Sequence, residues 1–139
     1  MKRALVLSGG GSRGAYEIGA WQALKEMGVR IDAVYGTSIG ALNAALVAQG
    51  DADRAVRLWD TLTLKQIVGG PVADTFSVGS MISSKRDIVP FLLENAKNLR
   101  VDVAPLEALV RRYTAEGLVR ASGMEVNVTT VRVPSMTPV

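Results

Sequence analysis

The pentapeptide G-T-S-I-G at Gly36–Gly40 has the G-x-S-x-G pattern of a nucleophile elbow, a sharp turn that exposes a serine hydroxyl between a strand and a helix. Before it, Ile31–Tyr35 is rich in β-branched and aromatic residues and predicts a strand. After it, Ile39–Ala48 is small and apolar and predicts a helix. The two glycines of the motif lack the Cβ atoms that would clash in so tight a bend. We therefore predict that Ser38 is a nucleophile.

The chain contains no histidine, which is the base that usually activates such a serine. Ser38 therefore works with another base, or the motif is not catalytic. The chain also contains no cysteine, so we expect no disulfide framework and no thiolate metal site. Without either residue type a zinc site is not expected, and we predict neither a metal nor a cofactor.

A second motif, the glycine loop G-G-G-S-R-G at Gly9–Gly14, follows a predicted strand at Arg3–Leu7 and precedes a predicted helix at Ala15–Met27. Glycine permits backbone conformations with positive φ and lets a ligand approach the peptide N–H groups. A helix N-terminus adds free donors and partial positive charge. The loop is therefore suited to an anion, either a phosphate or the transient oxyanion of a tetrahedral intermediate.

Two other interpretations of the glycine loop stay open at this point. Gly9, Gly11 and Gly14 satisfy the dinucleotide fingerprint G-x-G-x-x-G. That fingerprint requires an acidic residue at the end of the second strand, whereas Asp32 lies at its beginning. The loop could also be a tight strand-to-helix turn that binds nothing.

The order strand, helix, strand, helix over the first fifty residues favours an α/β fold with a mainly parallel sheet. Adjacent parallel strands end side by side, so we expect Gly9–Gly11 to lie next to Ser38. The N–H of Ile39, the residue after the nucleophile, would add a further donor for an oxyanion.

The rest of the chain predicts further elements. They are a helix at Asp53–Leu62 capped by Asp53, a mobile loop at Thr63–Ser84, a helix at Asp87–Lys97, a helix from Pro105 to Gly117, a strand at Glu125–Val133 and a turn at Pro134–Pro138. We expect a pairing strand after that turn, but only Val139 follows it.

The composition indicates a globular domain, because 48% of the 139 residues are hydrophobic. The net charge of +3 comes from scattered basic residues that do not alternate with aromatic ones, so nucleic acid is not a predicted partner. The apolar run after Met1 is too short for a signal peptide, and no stretch approaches the roughly 18 apolar residues of a membrane span. We predict a cytoplasmic protein that binds peripherally at membranes.

Together, the glycine loop, the elbow and the run T-S-I-G-A-L-N-A at Thr37–Ala44 resemble the patatin-like phospholipase family. The resemblance implies a three-layer α/β/α fold and hydrolysis of lipid acyl esters by a Ser-Asp dyad at a membrane surface. By this resemblance Ser38 is the nucleophile, and a dyad needs no histidine. The oxyanion hole would be formed by the backbone of Gly9, Gly10 and Gly11 with Ile39, supported by Arg13, Gly14, Gly36 and Gly40.

The sequence departs from the family pattern at the catalytic aspartate, which the family carries in an Asp-Gly pair. This chain has no such pair, and we assign the base to none of its seven aspartates. We therefore expect residues 1–139 to be an incomplete patatin-like domain whose aspartate lies beyond Val139. A lipid- or anion-binding remnant without catalysis is the alternative function.

Overall fold

The computed structural model describes residues 1–63, 66–67, 104–132 and 137–138. The chain forms two compact units, one made of Met1–Asp60 with Tyr113–Val139 and the other of Thr61–Arg112. Nearly all of the predicted mobile loop and the whole of the predicted helix at 87–97 lie outside the described residues.

A parallel sheet of three strands forms the centre of the first unit. Its strands are β1 (Ala4–Leu7), β2 (Ala33–Thr37) and β3 (Glu125–Thr129), in the order β1-β2-β3. In register, Leu7 pairs with Gly36 and Thr37 pairs with Thr129. The predicted α/β class and parallel sheet are confirmed, and helices pack around the sheet as in a patatin-like fold.

Helix α2 (Ile39–Gln49) contacts all three strands of the sheet, and α1 (Gly14–Glu26) packs against α2. Ala and Leu give α2 a high helix propensity, and it is buried on nearly every side, as expected for a helix inside a core. The core combines residues of β1 and β2 with residues of α1 and α2. Its fully or nearly inaccessible members include Leu7, Ile18, Val34, Leu46 and Val47.

The other helices of the described residues are α3 (Ala52–Thr61), α4 (Ala104–Tyr113) and α5 (Glu116–Ala121). Helix α3 buries Ala55 and Leu58. Its cap is Asp51 and not the predicted Asp53, because Oδ1 of Asp51 accepts a hydrogen bond from the Arg54 amide at 2.9 Å.

Two predicted boundaries are wrong for reasons visible in the hydrogen bonds. Strand β2 begins two residues later than expected, because the amides of Asp32 and Ala33 both donate to the Arg3 carbonyl as pairing with the β1 segment starts. The helix predicted to end at Gly117 ends at Tyr113, where the carbonyl accepts a bond from the Gln49 side chain at 3.1 Å. Gly117 lies inside α5 instead.

The strand predicted at Glu125–Val133 is two strands within the described residues. β3 ends at Thr129, and β4 (Val131–Arg132) pairs antiparallel with β5 (Thr137–Pro138). The pairing strand therefore lies inside the segment that was predicted to be a turn.

Candidate active site

Ser38 lies at the apex of the turn between β2 and α2, where its side chain is exposed. Its backbone angles are φ 56° and ψ −125°, and it is the one non-glycine residue with a positive φ in the part of the chain that the structure describes. Such a conformation costs about 1–3 kcal/mol and persists only when the surroundings enforce it. This is the strained geometry that a nucleophile elbow requires.

The glycines on either side of Ser38 allow the surrounding backbone to close on the turn. A Cβ at Gly36 would overlap the carbonyl group of Gly40. A Cβ at Gly40 would lie 2.5 Å from the Leu7 carbonyl oxygen and 2.8 Å from that of Ser8. The first turn of α2 therefore packs directly on the end of β1, which is also where the glycine loop begins.

The glycine loop lies beside Ser38. A Cβ placed on Gly9 would be 3.2 Å from the Ser38 Cβ and 3.8 Å from its Oγ, so the loop backbone and the hydroxyl face one small volume. Gly10 and Gly11 have φ values of 146° and 58°, which other residues rarely adopt. The structure thus brings together Ser38 and the loop that the sequence predicted to lie next to it.

The amides around this volume have free donors. In the described ranges, the N–H groups of Gly9 and Gly10 donate to no other group of the chain. Ile39 is the first residue of α2, so its N–H has no partner within the helix. Ser38 is the N-cap of α2 and lies at the positive end of the helix dipole, which favours negative charge on its oxygen.

Arg13 lies at the far side of the glycine loop. Its amide donates to the Gly10 carbonyl at 3.3 Å, and its side chain folds back so that Cδ would be 3.0 Å from a Cβ on Gly10. The guanidinium carries its charge at the exposed rim of the loop.

The four described aspartates lie away from Ser38 or belong to helix α3. Asp32 precedes β2, whereas Ser38 follows it, so the two residues flank opposite ends of one strand. Asp51 follows α2 and lies about 20 Å along the direction of that helix from Ser38 at 1.5 Å per residue. Asp53 and Asp60 lie within α3. In the ranges that the structure describes, no side chain hydrogen bonds to the Ser38 hydroxyl.

Among the described residues, the groups with shifted pKa values lie on or beside the sheet strands and not at the elbow. The Arg3 amide donates to the Asp32 carboxylate at 2.9 Å and lowers the pKa of that group, assisted by Arg30. The Tyr35 hydroxyl donates to Glu125 at 3.0 Å, which raises the pKa of Tyr35 and lowers the pKa of Glu125. Asp32 and Glu125 lie where β2 and β3 begin, whereas ligands of parallel sheets bind where the strands end.

The positions of these carboxylates also bear on the alternative that the glycine loop binds a dinucleotide. The residues at the end of β2 are Gly36 and Thr37, so in the described residues no carboxylate occupies the position that would hold a ribose. The carboxylates of Asp32 and Glu125 both lie at the other end of the strand, where Asp32 accepts from the Arg3 amide and Glu125 accepts from the Tyr35 hydroxyl.

Sequence reasoning missed two residues that adjoin the site, Asn43 and Trp59. Asn43 is fully buried in α2 and bonds to the Gly14 carbonyl at the end of the glycine loop. Trp59 lies in α3, and its indole nitrogen donates to the Asn43 side-chain oxygen at 3.0 Å. A polar residue inside an otherwise apolar helix was the available signal for Asn43.

The described residues contain no helix long and apolar enough to cross a membrane. They also contain no group of three or more histidine, cysteine, aspartate or glutamate side chains arranged to hold a metal ion.

Comparisons with known proteins give the family. The model of the family described as "Patatin-like phospholipase" matches residues 5–132. Lysophospholipase nte1 of Aspergillus terreus is 57% identical over 49 residues, which cover 35% of this chain and 3% of that protein. Patatin-like phospholipase domain-containing protein 7 of Rattus norvegicus is 46% identical over 55 residues, covering 40% of this chain and 4% of that protein.

Patatin-like phospholipase domain-containing protein 6 of Homo sapiens is 56% identical over 46 residues, or 33% of this chain and 3% of that protein. The matched segment thus spans about 3–4% of the length of these relatives. No solved structure matches the chain. Because the family model covers nearly all of the sequence, the chain belongs to the patatin-like phospholipase family.

Proposed function

We propose that this chain carries the nucleophile and the oxyanion-binding loop of a serine acylhydrolase of the phospholipase A type. The observation that carries the proposal is the contact between Gly9 and Ser38, where a Cβ on Gly9 would lie 3.8 Å from the Ser38 Oγ. Ester hydrolysis through an acyl-enzyme needs a nucleophile and hydrogen-bond donors around one carbonyl group. The exposed elbow and the free loop amides supply both.

In the proposed reaction, the Ser38 Oγ attacks the acyl carbonyl carbon and its proton passes to a base. The carbonyl oxygen becomes an oxyanion, which accepts hydrogen bonds from the amides of Gly9–Gly11 and Ile39. The base returns the proton to the departing alcohol as the ester bond breaks. Water then attacks the acyl-serine by the same route in reverse and releases the fatty acid.

For the base, we propose an aspartate outside the described residues. The chain has no histidine, and the positions of Asp32 and Asp51 exclude these two as direct partners of Ser38. Membership of the family makes an aspartate the expected base. A Ser-Asp dyad transfers the proton without an imidazole, and this requires the carboxylate within about 2.6–3.2 Å of the hydroxyl, or one water away.

The proposed substrate class is an acyl ester of a lipid at a membrane surface. The family name and the name of the Aspergillus terreus relative, a lysophospholipase, both support this class. Peripheral binding at a membrane and a cytoplasmic location remain part of the proposal. A single-chain lysophospholipid is the simplest first probe, because it reaches the enzyme without extraction from a bilayer.

The test is covalent labelling of the full-length protein with a fluorophosphonate probe, followed by identification of the labelled peptide. We expect labelling at Ser38 and its loss in Ser38→Ala. Ser122→Ala is the matched control, since Ser122 is an exposed serine whose hydroxyl donates to the Val119 carbonyl and accepts from the Met124 amide. Release of fatty acid from lysophosphatidylcholine should follow the same pattern.

Two outcomes would count against the proposal. Labelling that persists in Ser38→Ala would place the reactive group elsewhere. Binding of lysophospholipid to the full-length protein without labelling or turnover would favour the non-catalytic lipid-binding alternative.

A further inference from the structure

Asn43 is the one buried polar side chain in the part of the chain that the structure describes. It lies in the middle of α2, among apolar neighbours such as Leu42 and Ala44. A buried amide costs free energy unless its donors and acceptor are all paired, and here they are. An apolar side chain of similar size would leave the Gly14 carbonyl and the Trp59 indole N–H without their bonds to position 43.

The hydrogen bonds of Asn43 join three helices. Its Nδ2 donates to the Gly14 carbonyl and to the Glu17 carboxylate, each at 3.0 Å, and both acceptors belong to the first turn of α1. Its Oδ1 accepts from the indole nitrogen of Trp59 in α3, also at 3.0 Å. Both donor positions and the acceptor are thus in use.

The side chains of Trp59 and Asn43 also restrict the end of the glycine loop by steric contact. A Cβ on Gly14 would overlap the six-membered ring of Trp59 and would lie 3.0 Å from the Asn43 Nδ2. Gly14, the first residue of α1, therefore lies between the Trp59 ring and the side-chain amide of Asn43. Glu17 adds a longer contact of 3.4 Å from the hydroxyl of Ser8, the residue before the glycine loop.

Asn43 also lies on the helix that Ser38 begins. Ser38 is the N-cap of α2, and Asn43 is five residues further along. One rigid element thus carries the nucleophile at its start and, less than two turns later, the side chain that grips the end of the glycine loop. A movement of Gly14 relative to α2 would stretch or break the bond from Asn43 to the Gly14 carbonyl.

We propose that Asn43 is a positioning residue that fixes the glycine loop relative to Ser38. The inference rests on the proposed function and adds a residue to it. Apolar packing is non-directional, whereas two amide donors aimed at fixed acceptors set a distance and an angle. A displacement of about 1 Å between reacting groups lowers rates by about 100-fold, so a device that sets this distance matters for catalysis more than for folding.

The main variant is Asn43→Leu in the full-length protein, which keeps the volume and removes all three bonds. We expect kcat toward a soluble acyl ester to fall by about 10- to 100-fold, because the oxyanion contacts act in the transition state. KM should stay within about threefold of the wild-type value. The second variant, Trp59→Phe, deletes the N–H donor to Asn43 together with the distal ring atoms nearest Gly14, and we expect a smaller fall in kcat of about 3- to 10-fold.

Gln49→Leu is the matched control. Gln49 is the other amide of α2 with bonds to a second segment, since it donates to the Tyr113 carbonyl and accepts from the Ala115 amide. It lies about 16 Å along the helix from Ser38. Its replacement removes comparable hydrogen bonds from the same helix, so it should lower stability and leave kcat unchanged.

Hydrogen exchange supplies a readout that does not depend on turnover. The amides of Arg13 and Gly14 bond back into the glycine loop, to the carbonyls of Gly10 and Gly11. In Asn43→Leu these amides should exchange about tenfold faster or more, and in Gln49→Leu at the wild-type rate. If the wild-type protein hydrolyses no ester, the proposed function fails and the exchange result still decides the positioning role.

Wild-type kcat in Asn43→Leu would overturn the inference. A lowered kcat with unchanged exchange at Arg13 and Gly14 would overturn it as well, because the effect would then reach Ser38 by another route. If Asn43→Leu does not fold, Trp59→Phe decides by the same two measurements.

Discussion

Replacing Gly9 with alanine tests whether the glycine loop and Ser38 share one substrate carbonyl. The new methyl group would lie 3.2 Å from the Ser38 Cβ and 3.6 Å from the Thr37 carbonyl oxygen. Carbon atoms pack best at about 3.5–4.0 Å, so a shift of a few tenths of an ångström accommodates the methyl group at a cost of about 1 kcal/mol or less. Gly9 has no positive φ, and alanine adds no backbone strain there.

The effect on activity should be far larger than the effect on stability. The methyl group would lie 3.8 Å from the Ser38 Oγ, in the volume where the substrate carbonyl must sit about 3 Å from the same oxygen. A carbonyl displaced from the loop amides loses their hydrogen bonds in the transition state. Loss of one such donor raises the activation free energy by about 2.7–4 kcal/mol, which corresponds to a 100- to 1,000-fold fall in kcat. Substrate binding away from the carbonyl is untouched, so KM should change little.

The assay compares Gly9→Ala with Gly19→Ala in the full-length protein, by fatty acid release and by urea unfolding. Gly19 lies on α1, and a Cβ there meets nothing within 4 Å, so Gly19→Ala should keep full activity and gain about 0.5–1 kcal/mol of stability. A stable Gly9→Ala protein with activity within about threefold of wild type would refute the shared site.

Substitutions at three other positions test the packing, the electrostatics and the helix capping of the first compact unit. Gly40→Ala should lower the free energy of unfolding, measured by urea titration, by about 2 kcal/mol or more. The reason is that its Cβ would lie 2.5 Å from the Leu7 carbonyl oxygen at the end of β1. A variant as stable as wild type would contradict this close packing of α2 on β1. Asp32→Asn should be less stable than wild type near neutral pH, and the difference should shrink as pH falls below 3.8. The Arg3 amide lowers the pKa of the Asp32 carboxyl in the folded state. The carboxylate therefore stabilises the fold above the unfolded-state pKa of 3.8, and this stabilisation is lost as pH falls through the folded-state pKa. A stability difference between the two proteins that does not depend on pH would contradict this. Asp51→Ala should cost about 1 kcal/mol by removing the cap on the Arg54 amide, and Asp51→Ser should recover most of the loss.

Local patterns predicted the elements that hold the site. The strand pattern, the glycines and the helix pattern along the first fifty residues indicated the elbow and the glycine loop. The parallel order of the predicted strands indicated that these two motifs lie close together. These inferences need only neighbours in sequence and one rule of sheet topology. Such inferences could not predict the boundaries of β2 and α4, because each boundary depends on a hydrogen bond to a residue far away in the sequence. The Asp32 and Ala33 amides meet a carbonyl about 30 residues away, and α4 ends where Gln49, 64 residues earlier, bonds to Tyr113.

The network around Asn43 could not be predicted for the same reason. Its partners lie 29, 26 and 16 residues away on two other helices, and no periodic pattern encodes which polar groups meet in a core. Hydropathy marks Asn43 only as an exception within an apolar helix. The glycine at position 14 was assigned to the loop motif, whereas the structure shows that it also makes room for Trp59.

The conformation of Ser38 leads to a last prediction, in which activity and stability change in opposite directions. At φ 56° and ψ −125° a residue with a Cβ is strained by about 1–3 kcal/mol, and glycine is not. Glycine also gains about 0.5–1 kcal/mol of entropy in the unfolded chain, so Ser38→Gly should be more stable than Ser38→Ala by roughly 1 kcal/mol. Both variants lose the nucleophile, and both should lose activity completely. Urea titration of the two full-length variants measures the difference directly. If Ser38→Gly were instead less stable than Ser38→Ala by about 0.5–1 kcal/mol, the entropy of the unfolded chain alone would explain the difference, and the strain inferred for the elbow would have to be abandoned.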